Sequence, residues 1–354
     1  MIDHECFTLE WIQTVRTKIG RADPTLIEKT IYAFSLLGAL TQYELDFVFK
    51  GGTSLLLVVP NWSRFSTDID IVTQASEDKL QLIFKDIKSL NQFIRWEENP
   101  RTPSGVPKKH YKFFYQSIVN HREDYILLDV LFEKYSSHNI IQTKMATYFL
   151  KTTRDIHVAI PDIHWLMGDK LTAFAPNTIG IPYKSGNALS ILKQLFDLGE
   201  LFRHIQHIKI INGSHQTFLK FQNKYRSTSF SQRDALEDTF NACFLVSQIG
   251  FKGSIENEET EILRDGIRKL DSHLINRRFS LNDAKIAASR IAFITAFLIH
   301  QKDNPNPEIL LFNPQKAVEL QKIQLSDRFV KLNRLKTILP EAFYYWHLVS
   351  QWEG

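Results

Sequence analysis

The first part of the chain combines helical patterns with short apolar runs, which is typical of a mixed α/β domain. Apolar residues recur at helical spacing over 24–42, where an Asp-Pro pair begins the helix. A second amphipathic helix is predicted over 76–90, with Ser76 as its N-cap. Shorter elements complete this part: helices over 3–20 and 53–59, and strands over 45–49, 68–73, 93–97, 111–118, 125–132 and 155–160.

After about residue 161 the pattern becomes almost entirely helical. The predicted helices cover 161–175, 186–209, 229–249, 256–272, 282–301, 314–323 and 340–351. A chain of 354 residues is also long for one compact core. We therefore expect an α+β protein with an α/β domain over 1–160 and a helical domain over 161–354.

Composition and charge narrow the class of protein. The two cysteines, Cys6 and Cys243, are too few and too far apart in sequence for a disulfide framework or a cysteine-based zinc site. The N-terminus carries acids and lacks an apolar h-region, and the longest apolar run, 291–299, is too short to span a bilayer. The net charge of +4 is compatible with an anionic substrate but does not establish a nucleic-acid partner. We expect a cytoplasmic protein with no membrane segment.

Two aspartates interrupt the apolar strand predicted over 68–73. Because strand side chains alternate, Asp68 and Asp70 share one face while Ile69 and Ile71 face the core. Two carboxylates this close repel each other unless a positive charge lies between them. Oxygen ligands suit Mg²⁺, or Mn²⁺ in its place. A bare Asp-x-Asp is also common on an exposed edge strand, and the spacing alone leaves both interpretations open.

A third acid, Asp129, lies inside the apolar run YILLDVLF. An acid there is costly to bury without a partner or a metal. If its strand is adjacent to the strand of Asp70, three carboxylates converge. Such a group could bind two metal ions, hold nucleotide phosphates and activate an attacking hydroxyl.

A glycine turn precedes the aspartates. Gly51 and Gly52 allow the backbone to approach a phosphate closely, and the amides of a helix N-terminus bind anions. Thr53 and Ser54 follow and can donate hydroxyl and backbone hydrogen bonds to a terminal phosphate, with Ser54 the preferred donor.

A basic stretch, RTPSGVPKKHYK at 101–112, is predicted to be a loop. Its Lys108, Lys109 and Lys112, with His110 beside them, could contact nucleic-acid phosphates. A solvated run of charges is the favoured alternative.

The segments KGGTSL and RFSTDIDI resemble the AbiEii-type nucleotidyltransferase toxins, a branch of the DNA polymerase β-like nucleotidyltransferase superfamily. The family pattern is a Gly-Gly-Thr/Ser turn, an Arg-x-Ser-x-Asp-x-Asp strand and a third acid on a later strand. The resemblance implies a nucleotidyltransferase domain with a mixed sheet and flanking helices, followed by the helical domain. Arg64 and Ser66 match this pattern and could contact phosphates near the metal. Without the resemblance, Arg64 could be a loop arginine and Ser66 a strand-cap hydroxyl.

Two helices of the second half extend the resemblance. LMGDKLTAF is similar to a family helix whose lysine contributes to the active site, here Lys170. KQLFDLGELF is similar to a second family helix and corresponds to Lys193 and Asp197 at the nucleotide. The helical domain is thus expected to contribute Lys170 and Asp197 to the cleft. Without the resemblance, Lys170 could be a solvated helix lysine, and Lys193 with Asp197 an exposed pair four residues apart.

The resemblance implies an enzyme: a Mg²⁺-dependent transfer of a nucleoside monophosphate from an NTP to an acceptor hydroxyl on RNA, tRNA in particular. Asp68, Asp70 and Asp129 would bind the metal and, with Lys170, form the catalytic set. The protein would be the toxin of a bacterial toxin–antitoxin or abortive-infection system, with an antitoxin encoded nearby. Two alternatives remain: a nucleotidyltransferase that modifies protein hydroxyls, and a catalytically silent nucleotide- or RNA-binding module.

Overall fold

A computed structural model describes residues 1–20, 22–90, 92–100, 105–135, 139–300 and 310–352. The chain forms two compact units. The first comprises Met1–Asp162 together with the short segment Ser272–Arg277, and the second comprises Ile163–Asp271 and the residues from Arg278 onward. No helix in the described part of the chain is long and apolar enough to cross a bilayer.

The first unit is built on a mixed five-stranded sheet of order β1-β2-β5-β4-β3. Within the described residues, the β2–β5 pairing is parallel, and the β1–β2, β4–β5 and β3–β4 pairings are antiparallel. A separate antiparallel pair is formed by β6 and β7. The strands are β1 (Val48–Lys50), β2 (Ile69–Thr73), β3 (Arg95–Glu98), β4 (Lys108–Gln116), β5 (Glu123–Phe132), β6 (Ile140–Lys144) and β7 (His157–Pro161).

The helices predicted over 24–42 and 76–90 begin where the sequence predicts. The helix predicted over 3–20 is interrupted at Thr8, and the one predicted over 53–59 begins earlier, at Gly51. Asp23 accepts a hydrogen bond from the Thr25 amide, and Ser76 accepts one from the Lys79 amide, so both caps are confirmed. The helices are α1 (Leu9–Ile19), α2 (Pro24–Gln42), α3 (Gly51–Val58) and α4 (Glu77–Ser89), with a short 3₁₀ helix over His4–Phe7.

Apolar side chains on alternate positions anchor the two central strands. Ile69 and Ile71 of β2 and Leu128 and Val130 of β5 are at most 1% exposed. The alternation leaves Asp70 and Asp129 on the opposite face of their strands. The adjacency of β2 and β5, on which the convergence of the acids depends, is confirmed.

The second unit is helical. Its α-helices in the described residues are α5 (Ile163–Ala173), α6 (Ala188–Leu201), α7 (Ile208–Arg226), α8 (Gln232–Gln248), α9 (Glu258–Leu270), α10 (Leu281–Ile299), α11 (Ala317–Leu320), α12 (Leu335–Ile338) and α13 (Pro340–Ser350). Its 3₁₀ helices cover Tyr183–Ser185, Phe202–His204, Pro314–Lys316 and Asp327–Arg334, and one more 3₁₀ helix, Asp271–His273, begins at the last residue of the segment Ile163–Asp271. Trp346 of α13 is fully buried, and its indole N–H donates to Ser247 of α8. The α+β class, with a helical second part, is confirmed.

The structure differs from the predicted secondary structure at further places. The helix predicted over 186–209 ends at Leu201. Helix α7 follows it over Ile208–Arg226 and is not predicted, because polar residues and Gly213 weaken its helical pattern. The sequence pattern does not predict strand β6, because this strand is short and mostly polar. The predicted basic loop is strand β4 from Lys108 onward, where pairing with β5 overrides the local charge, and its positions 101–104 lie outside the described residues.

Candidate active site

The site begins with two carboxylates placed directly opposite each other. In the parallel β2–β5 pair, Asp70 is in register with Asp129. The Asp70 side chain is 26% exposed, whereas that of Asp129 is 9% exposed. Because neighbouring strands are only about 4.8 Å apart, two negative charges on one face need positive charge nearby.

Strand β4 supplies that positive charge. The Lys108 Nζ lies 2.6 Å from Asp129 Oδ2 and 3.6 Å from Asp70 Oδ1. His110, paired with Asp129 in the ladder, places Nδ1 2.6 Å from Asp129 Oδ1. Both residues belong to the stretch interpreted as a solvated charge run, and that interpretation is wrong for them. The signal that could have identified them is their spacing of two residues, which puts both on one strand face.

These contacts control the ionisation of Asp129. Burial by itself raises the pKa of this carboxyl, but the charge and hydrogen bond of Lys108 and the contact with His110 outweigh burial. The pKa of Asp129 therefore lies below its usual value. Asp129 is a carboxylate at neutral pH, suited to binding a cation.

The glycine turn packs against the other carboxylate. Gly51 begins α3 directly after β1, and its φ of +81° is a left-handed conformation that favours glycine. A Cβ at this position would lie 2.2 Å from Asp70 Oδ2. The absence of a side chain at Gly51 is thus what allows the turn and the Asp70 carboxylate to meet.

The second glycine contacts the segment that leads to the aspartates. A Cβ on Gly52 would lie 2.7 Å from Arg64 Nη2 and 2.9 Å from Ser66 Oγ. Arg64 is only 2% exposed, and its Nη1 donates to the Phe65 carbonyl at 2.9 Å. The structure therefore brings Arg64 and Ser66 to the glycine turn.

Thr53 and Ser54 are fully buried. The Thr53 hydroxyl donates to the Asp68 carbonyl at 2.6 Å, and the Ser54 hydroxyl donates to the Gly51 carbonyl at 2.8 Å. These bonds tie α3 to the start of β2 and brace the turn. Phosphate contact by the two hydroxyls stays a prediction.

Asp68 is exposed and lies one residue before β2. Among the residues that the structure describes, no group of three or more His, Cys, Asp or Glu side chains is arranged to hold a metal ion. The oxygen donors of Asp70 and Asp129 do fit Mg²⁺ or Mn²⁺ by their chemistry. A divalent cation at this pair would have the Lys108 ammonium as its competitor.

The remaining predicted residues pair within the second unit. Lys170 of α5 is 7% exposed and Asp197 of α6 is fully buried. The Lys170 Nζ donates to Asp197 Oδ2 at 2.7 Å and lies 3.5 Å from Gln194 Oε1. A solvated lysine and an exposed pair involving Asp197 are therefore both excluded. Lys193 is half-buried one turn before Asp197 on the same helix.

A sequence-family model described as "Nucleotidyl transferase AbiEii toxin, Type IV TA system" matches residues 35–285, well over half of the chain. The matched range includes both groups of residues described above. No curated protein matches the chain in sequence.

The similarity of the chain to solved structures is distant. The chain is 14% identical to JHP933 from Helicobacter pylori, with a TM-score of 0.33 over 76% of this chain and 96% of that one. It is 15% identical to an antigenic nucleotidyltransferase-like protein from Paracoccidioides brasiliensis, with a TM-score of 0.37 over 56% of this chain and 89% of that one. Similarities this low carry no argument about activity.

Proposed function

Because the chain belongs to the AbiEii family of nucleotidyl transferase toxins of type IV toxin–antitoxin systems, we propose a specific reaction for it. The enzyme transfers a nucleoside monophosphate from an NTP to a hydroxyl of RNA, with tRNA as the preferred acceptor. The reaction depends on Mg²⁺ or Mn²⁺. A cognate antitoxin encoded nearby is the expected partner.

One observation supports this proposal most directly: the register of Asp70 with Asp129 on adjacent parallel strands, with the Gly51 turn packed on Asp70. Two carboxylates in register repel each other, and a cation bound by both relieves that repulsion. We assign Asp70 and Asp129, with Asp68 beside them, as the ligands of the divalent cation. When bound, the cation supplies charge neutralisation for the triphosphate.

The chain's own groups orient the reactants. The acceptor hydroxyl forms a bond to the α-phosphorus, and the bond from that phosphorus to the bridging oxygen breaks. Pyrophosphate leaves, and the hydroxyl proton passes to solvent by way of Asp129. Phosphoryl transfer relies on positioning and electrostatic stabilisation more than on a strong base, so a carboxylate with a lowered pKa is adequate.

The nucleotide contacts belong to the same proposal. The backbone of Gly51 and Gly52, with Thr53 and Ser54, holds the β- and γ-phosphates, and Arg64 and Ser66 contact the phosphates nearby. The proximity of the Arg64 guanidinium to Gly52 supports this assignment. Lys170 neutralises charge in the transition state, and Lys193 and Asp197 serve the nucleotide.

The test measures label transfer. The full-length protein is incubated with each labelled ribonucleoside triphosphate, total RNA and Mg²⁺. We expect transfer to RNA by the unmodified protein and none by Asp70→Ala or Asp129→Asn. Asp124→Asn is the matched control, because Asp124 lies on the same strand as Asp129 but pairs with Lys29.

The alternatives correspond to distinct outcomes. Label on protein instead of RNA identifies a protein hydroxyl as the acceptor and overturns the RNA assignment. Absence of transfer to either acceptor with every nucleotide, with nucleotide binding unchanged in Asp70→Ala, identifies a silent binding module and overturns the enzymatic proposal.

A further inference from the structure

Lys108 forms ion pairs with both carboxylates of the site. Its ammonium lies 2.6 Å from Asp129 Oδ2 and 3.6 Å from Asp70 Oδ1. A cation that bound both carboxylates would compete with this ammonium for the same two oxygens. The position of Lys108 therefore bears directly on how the site takes up a metal.

The two partners of Asp129 differ in how easily they can leave. His110 is short, and its side chain is 12% exposed, so it holds Asp129 Oδ1 rigidly. Lys108 is the first residue of β4, and its side chain is 30% exposed. Its ammonium is carried on a flexible four-carbon chain. The ammonium can therefore move into solvent at low cost, while His110 keeps the carboxylate oriented.

We propose that Lys108 is a built-in counter-ion of the Asp70–Asp129 pair, which a divalent cation must displace before it can bind both carboxylates. This inference rests on the proposed function, because it takes these carboxylates as the cation ligands. Lys108 thereby stabilises the site without metal and weakens its affinity for metal. It sets the metal concentration at which the enzyme becomes active.

The test measures Mn²⁺ affinity by isothermal titration calorimetry, at neutral pH and low ionic strength. We expect Lys108→Met to bind Mn²⁺ about tenfold more tightly than the unmodified protein, because the competing charge is gone. Lys108→Gln is a second neutral variant, and Lys108→Arg, which keeps the charge, retains the affinity of the unmodified protein. Without added metal, Lys108→Met has the lower melting temperature, and saturating Mn²⁺ raises its melting temperature by the larger amount.

Lys109→Met is the matched control. Lys109 is the next residue on the strand, its side chain is 34% exposed, and it pairs with Glu77 and Glu98 instead. Its removal changes the net charge equally, so its Mn²⁺ affinity is expected to remain that of the unmodified protein. An equal tightening in Lys109→Met would show an effect of net charge alone and overturn the inference.

Two further outcomes overturn it: Mn²⁺ affinity unchanged or weakened in both neutral variants, and no Mn²⁺ binding by any of the proteins. Parallel label-transfer assays separate this inference from the proposed function. Transfer that is lost in Asp70→Ala, with unchanged affinity in Lys108→Met, leaves the function standing and removes the inference. Tighter Mn²⁺ binding without transfer to any acceptor does the reverse.

Discussion

Gly51 has no room for a side chain, because a Cβ there would lie 2.2 Å from the Oδ2 atom of Asp70. The turn between β1 and α3 and the carboxylate on β2 thus occupy adjacent space that any other residue would fill. This contact links the phosphate-binding part of the proposed site to its cation-binding part. Disruption of the contact between Gly51 and Asp70 should lower activity more than it lowers stability.

We expect Gly51→Ala to lower label transfer at least about a hundredfold, because the added methyl displaces the Asp70 carboxylate. The left-handed backbone adds a loss of about 1–3 kcal/mol in the free energy of unfolding. Gly186→Ala is the control: its φ of +70° is similar, but a Cβ there meets nothing within 4 Å. Transfer rates and urea melts of both variants test this. Equal activity in the two variants would show that the contact with Asp70 has no functional role.

His110 is a positioning residue for Asp129. We expect His110→Ala to lower kcat about tenfold to a hundredfold with little change in the KM for NTP, because Asp129 Oδ1 loses its partner. His110→Asn, which keeps a side-chain N–H, should recover part of the rate. The exposed His157 provides a control, His157→Ala, with unchanged kinetics. A rise in KM with kcat unchanged would instead indicate that His110 binds substrate.

The buried Lys170–Asp197 pair allows structural and functional roles to be separated. Either Lys170→Met or Asp197→Leu alone should lower the free energy of unfolding by about 3–5 kcal/mol, because each leaves a buried charge without its counter-ion. The double variant should recover most of that loss in urea melts. We expect it to remain inactive in label transfer, because the proposed function assigns Lys170 a role at the nucleotide. Recovery of both stability and activity would mean that the pair is structural only.

The pair Arg233–Glu237 serves as the control for that cycle. Both side chains are exposed on α8, with an N–O distance of 2.7 Å. Exposed pairs of this kind contribute little, so the single and double variants should melt like the unmodified protein. A large difference between the double variant and the sum of the two single variants of Arg233 and Glu237 would show that the urea melts respond to net charge rather than to burial.

We expect His215 to make the stability of the protein sensitive to acid. Burial lowers the pKa of His215 to about 4, and its Nε2 has no hydrogen-bond partner among the described residues. In the unfolded chain, His215 binds a proton below pH 6.5, the ordinary pKa of a histidine side chain. In the folded chain, it binds that proton only when the pH approaches about 4. Stability from neutral His215 is therefore present above this window and is lost as pH falls through it, by about 3 kcal/mol in total.

The measurement is the urea midpoint of the unmodified protein and of His215→Gln between neutral pH and pH 4. We expect a shallower decline with acid in the variant. The exposed His157→Gln should follow the unmodified protein. Parallel curves for the unmodified protein and His215→Gln would show that another group carries the acid sensitivity.

Much of the fold can be predicted from local pattern. The caps at Asp23 and Ser76 and the alternation in β2 and β5 are decided by neighbours in sequence, and each lies where the pattern predicts it. The pattern places the start of strand β4 too late, because the charges of Lys108 and Lys109 hide a strand that pairing with β5 stabilises. It does not predict helix α7 for a similar reason: polar residues and a glycine weaken a helix that packing against α5 supports.

The sequence by itself determined the carboxylates, the glycine turn and the family, because residue types and short spacings carry that information. Tertiary structure alone decided which acids meet, since the β2–β5 register joins residues that are 59 positions apart, Asp70 and Asp129. It also decided that Lys108 and His110 contact this pair of carboxylates instead of pointing into solvent, and that Lys170 is buried against Asp197. The sign of each charge can be read from the sequence, but which opposite charge lies beside it is decided by the folded chain.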